Sequence, residues 1–192
     1  MHIEPGVVDA TKLALSYATG VASLGLVGKM AADAVRTNGG LAALVARSVA
    51  TASLALAFFE VLPHAPVGPS EVHLILGTTL FLVFGAGAAS IGLVAGLLMQ
   101  GLFLAPYDLP QLGMNVTTLV VPLYLMSLLA ARIIPEKTAY TDLSYRQTLA
   151  LSAAFQAGIV GWVAFWVVYG QGFGAETLSS LAAFGGAYMS VV

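Results

Sequence analysis

QTLALSAAFQAGIVGWVAFWVVY, residues 147–169, contains no charged side chain. The hydrocarbon core of a bilayer is about 30 Å thick and takes roughly 17 to 25 apolar residues of helix to cross. A helix also pairs its backbone amides and carbonyls within the segment, which hydrocarbon otherwise makes too costly. The stretch therefore reads as a membrane-spanning helix. The same pattern returns near 10–30, 42–62, 73–88, 90–105, 116–134 and 177–192, giving an expected all-α polytopic membrane protein of seven helices. Phe84-Gly-Ala-Gly-Ala-Ala-Ser90 leaves almost no loop between the third and fourth spans and serves as a tight corner.

Composition agrees. Hydrophobic residues make up 59% of the 192 and charged residues 8%, against roughly a quarter in a soluble domain. Seven basic and nine acidic residues cannot coat a domain this size against water. A net charge of −2, with its few cations confined to loops, does not suit nucleic acid. With no cysteine, any metal site must use nitrogen and oxygen. The opening Met-His-Ile-Glu-Pro-Gly lacks a basic n-region, so Met1 is read as the mature start and its amine as a potential ligand. No linker or second domain is apparent, and residues 1–192 read as one integral membrane domain.

Lys29, Arg36 and Arg47 flank the first connection, and Arg132, Lys137 and Arg146 flank the fifth. By the positive-inside rule, six of the seven basic residues mark the cytoplasmic side and the N-terminus lies outside. Segments 63–72, 106–115 and 170–176 are then external. His2, His64, His73, Asp108 and Asn115 all fall at that outer end, although none of them was used to derive it. Ala14, Ala18 and Ala22 in the first span, and Gly92 and Gly96 in the fourth, form small-residue stripes that allow close helix approach. Such a stripe serves packing within the chain or docking of a partner helix.

A free amine at Met1 followed by His2 offers the α-amine, a deprotonated amide and an imidazole, three nitrogens that close fused chelate rings. A second imidazole, from His73 or His64, completes a planar nitrogen set of the kind Ni(II) and Cu(II) prefer. Pro5-Gly6 supplies a turn behind the chelate. His64, between Pro63 and Pro66, equally suits a solvated interfacial role. His73 opens the apolar run Leu74-Ile-Leu-Gly-Thr-Thr-Leu80, read as a helix, where an ionisable group is a functional candidate. Glu71 could be a ligand, but a carboxylate at a helix N-terminus is well explained by capping and the helix dipole. Ser70, Thr78, Gln100 and Asn115 are the polar groups available to orient the ligands. A phosphate-binding loop would need Gly at Ser23 and Ser or Thr at Met30; neither it, nor H-E-x-x-H, nor Gly-x-Ser-x-Gly is present. No nucleotide site and no catalytic machinery are expected.

Met1-His2-Ile3 with its nearby Pro-Gly, Pro66-Val-Gly-Pro-Ser-Glu-Val-His73-Leu, and Gln100-Gly-Leu-Phe followed by Leu112-Gly-Met-Asn115 together resemble a known family. It comprises the substrate-specific membrane subunits of cobalt and nickel energy-coupling-factor importers, the CbiM and NikM type. The resemblance covers roughly residues 1–125. It implies that Met1, His2 and His73 bind the metal, with Gln100 and Asn115 around them. It further implies a transmembrane coupling subunit and two ATPases as partners, location in the plasma membrane, and a chain continuing beyond Val192. The sequence departs from the family at Glu4-Pro5-Gly6, Val72-His73 and Ala105-Pro-Tyr-Asp108-Leu-Pro, which keeps His64 and Asp108 as additional ligands or capture sites. Two other readings stand beside this one: a membrane redox protein holding haem between two histidines, and an assembly subunit with no ligand.

Overall fold

The structure is a computed structural model describing residues 3–135 and 138–192. Its helices are α1 Leu13–Thr37, α2 Gly40–Glu60, α3 Gly77–Phe84, α4 Ala86–Phe103, α5 Leu112–Ile133, α6 Tyr145–Gln171 and α7 Ala175–Met189. Between α2 and α3 lies an antiparallel hairpin of β1 His64–Val67 and β2 Ser70–His73. Helices α1, α2, α4, α5 and α6 are long and apolar enough to cross a membrane. The chain is thus a polytopic helical membrane protein.

The opening stretch forms α6. Ser144 and Gln147 cap it reciprocally: the Ser144 hydroxyl accepts from the Gln147 amide, and the Gln147 side chain accepts from the Ser144 amide at 2.9 Å. At its other end Lys12 donates to the carbonyls of Tyr169 and Gly170 at 2.9 and 3.1 Å. Lys12, the one basic residue of the sequence away from the first and fifth connections, therefore neutralises a helix C-terminus. Gly92 and Gly96 bring α4 onto α2, where a side chain would strike Thr51 or Ala55. Gly20 and Gly113 do the same for α1 and α5. The core between these helices holds Phe59, Leu93, Leu119, Phe155 and Trp166, each fully buried.

The third expected span is corrected. Rather than a helix over 73–88, the chain leaves β2 at His73, turns, and starts α3 only at Gly77, after Leu76 in the left-handed region at φ 51°. Eight residues of helix reach only about 12 Å. Backbone that is not helical belongs at membrane depth only where protein covers it, and here Ile75 is fully buried while Gly77 packs so closely on Phe155 that a side chain would strike the ring. Segment 63–72, expected as an external loop, is the hairpin. The seventh span is a 15-residue helix, α7, about 22 Å long.

The ends of the bundle differ. At one, Lys29 reaches the Tyr124 ring, Gly85 meets Asn38, and Gln147 bonds to the Ile133 carbonyl. This is the end where the basic residues gather, and the hairpin lies at the other.

Candidate metal centre

His73 ends β2 and is 1% exposed. Side chains two apart on a strand share a face, so Glu71 stands beside it, and its carboxylate lies 2.8 Å from His73 Nε2. A carboxylate oxygen accepts, so Nε2 carries a hydrogen, and in the neutral ring the lone pair is then on Nδ1. The Phe59 ring meets the imidazole edge-on at 6.0 Å. Across the hairpin His64 is the register partner of His73, and the two rings stack at 4.8 Å with 15° between planes. Glu71 therefore does not cap a helix; it orients an imidazole.

The N-terminal segment lies along the other edge of β2. Ile3 pairs antiparallel with Ser70, and Glu4 N–H donates to the Pro69 carbonyl at 3.2 Å. The Ile3 amide donates to Asn115 Oδ1 at 3.1 Å, both residues being buried. Beside the hairpin turn a cavity of about 540 Å³ is lined by Glu4, Gly68, Glu176, Thr177 and Ser180 among others. Burial, and then the Glu71 charge, push the Glu4 carboxyl above its ordinary range.

A family model described as the cobalt uptake substrate-specific transmembrane region, CbiM, matches residues 2–192. The chain belongs to the CbiM family. It is accordingly a substrate-specific membrane component of cobalt uptake. Comparison with curated proteins and with solved structures found no match.

Of the candidate residues in this CbiM chain, the structure brings together His73, His64, Glu71 and, through Ile3, Ser70 and Asn115. Met1 and His2 lie outside the described residues. Gln100 is buried and donates to Glu60 at the end of α2, and its Oε1 has no hydrogen-bond partner among the described residues. Thr78 turns away, donating to the Met126 sulfur at 3.4 Å. Asp108 sits in the 3₁₀ turn Pro106–Gln111, within electrostatic reach of Glu71, Glu4 and Glu60. Among the described residues no three His, Asp or Glu side chains converge as a metal cage. Ala14, Ala18 and Ala22 are exposed; Ser16, Gly20 and Ser23 are the small residues α1 packs inward. The stacked histidines do not suit haem, whose axial imidazoles point at iron from opposite sides of the porphyrin. Sequence reasoning missed Phe59 and the role of Glu71. The i, i+2 spacing of Glu71 and His73 was the available signal, once the segment is taken as a strand.

Proposed function

We propose that the chain is the substrate-binding subunit of an ATP-driven importer, capturing Ni(II) or Co(II) with the Met1 amine, the His2 amide and imidazole, and His73. The carrying observation is the antiparallel bridge of Ile3 with Ser70, on the strand that ends in a buried, carboxylate-oriented His73. In an antiparallel pair, positions before Ile3 run alongside those after Ser70. The bridge seats Ile3 on the strand that carries Glu71 and His73, and this supports a chelate that joins the start of the chain to His73. Asn115 fixes that register from α5.

The chain acts as one integral membrane domain in the plasma membrane, N-terminus outside, so that the site opens outward. Four nitrogens around one ion favour Ni(II), while the family's description favours cobalt. A transmembrane coupling subunit and two ATPases supply the energy, the coupling subunit meeting the exposed Ala14, Ala18 and Ala22 face of α1.

The test is titration of the purified chain with Ni(II) and Co(II), alongside His73→Ala, His2→Ala and a variant extended by one residue before Met1. Stoichiometric binding lost in all three is expected. Binding that survives the extension and His73→Ala would overturn the terminal chelate.

A further inference from the structure

We propose that His64 is an entry ligand: an exposed imidazole that takes the divalent cation from solution and passes it inward to the site at His73. The inference rests on the metal-capture reading above. Three observations carry it. His64 and His73 are register partners, which puts both side chains on one face with Cβ atoms about 5 Å apart, and their rings stack at 4.8 Å. His64 is exposed whereas His73 is buried, so the pair leads from solvent to the interior. Finally, His64 Nδ1 lies 3.2 Å from the Leu62 carbonyl. A carbonyl only accepts, so Nδ1 carries the hydrogen and the neutral ring holds its lone pair on Nε2, ready to bind a cation.

Each lone pair lies in the plane of its own ring, so a cation about 2 Å from His64 Nε2 comes within reach of a His73 nitrogen when one of the two stacked rings turns about its side-chain bonds. One bond can then form before the other breaks. A single exposed imidazole holds a metal weakly, which suits a relay: an entry site must bind well enough to capture and loosely enough to release. The cation need lose only part of its water shell at His64, and the chelate inside replaces the rest. His64 thereby speeds loading and unloading alike and leaves the equilibrium to the buried nitrogens.

Stopped-flow binding of Co(II) and Ni(II) to the full chain in nanodiscs tests this with His64→Ala and His64→Phe, the latter keeping the stacked ring without its nitrogens. Both variants are expected to slow association about tenfold, the low end of what losing one oriented partner costs a metal site. Dissociation should slow in step, with Kd unchanged. Wild-type rates in His64→Phe would make the ring a packing cover and overturn the proposal, as would wild-type rates in both. A raised Kd from faster release would make His64 a resident ligand and also overturn it. If His73→Ala abolishes binding while the His64 variants keep wild-type rates, only the entry role falls. If the wild-type chain binds neither metal, the capture reading falls with it.

Discussion

Replacing Glu71 by glutamine removes one negative charge while keeping an acceptor of the same length beside His73. In the native site the His73 Nε2 hydrogen meets a carboxylate at 2.8 Å on a side chain 27% exposed. A hydrogen bond to a charged partner contributes about 1.5–3 kcal/mol and a neutral one about 0.5–1.5, so the exchange removes roughly 1–1.5 kcal/mol of support for the ligating tautomer. At about 1.4 kcal/mol per decade this weakens Ni(II) binding about tenfold. Glu71→Ala deletes the acceptor as well and should approach the 100-fold end of the range for losing a group that orients a metal-bound histidine. Calorimetric titration of both variants at neutral pH, with thermal melts to confirm folding, gives the order wild type, Gln, Ala. If both variants bind like wild type while His73→Ala does not, Glu71 does not orient the ligand and the argument from its geometry fails.

Asn115→Ala strips the acceptor from the buried Ile3 amide, a penalty of about 1–3 kcal/mol; titration should show weaker metal binding, with Asn115→Asp recovering part of it. Acidification should weaken binding, because protons compete for each nitrogen. The raised Glu4 carboxyl protonates earlier than a free one as pH falls, so its negative charge is lost sooner, and titrations at stepped pH should show the loss deepening with each step toward acid. Gly68→Val should lower the melting temperature, since φ is 62° there and a side chain would strike the Ser180 carbonyl. Ala18→Phe should leave metal binding of the isolated chain intact and abolish co-purification with a coupling subunit, because Ala18 faces outward.

Five long helices were legible because hydrocarbon imposes one requirement on each, a run of apolar residues about 20 long. The hairpin was not. His64–Val67 and Ser70–His73 are four residues each, carry a proline in β1, and show none of the apolar alternation that marks a strand. What forms them is the two-residue loop Gly68-Pro69, with positive φ at the glycine, and the cover given by Ile3 on one edge. The proline is tolerated because β1 is the outer edge. Hydropathy counts Leu74-Ile-Leu as the start of a span regardless of whether it is wound, so His73 was placed at a helix start although it ends a strand. The choice of His73, Ser70 and Asn115 rested on residue type and on the expected outer end, neither of which depends on whether the local backbone is helix or strand. Spacing alone does not show which small residues of α1 pack inward: Ser16 and Gly20 meet Gly113 of α5 and Ser23 is buried, whereas the alanine stripe is exposed.

The break in the third expected span is what would make the proposed nitrogen site possible inside an apolar bundle. A continuous helix would bond each backbone amide to a carbonyl four residues away and would space Glu71 and His73 to different faces. The strand puts both on one face, and its second edge accepts the N-terminal segment through Ile3, whose own amide is taken up by Asn115. The unwound turn at 74–76 and the left-handed Leu76 are the local cost, about 1–2 kcal/mol for the latter. Burial of Ile75, and contact of Phe155 with the Gly77 backbone, hold that turn in place. Restoring a helix through 73–76 would therefore relieve the backbone and dismantle the site together, which is why the irregularity sits here and not in the five long helices.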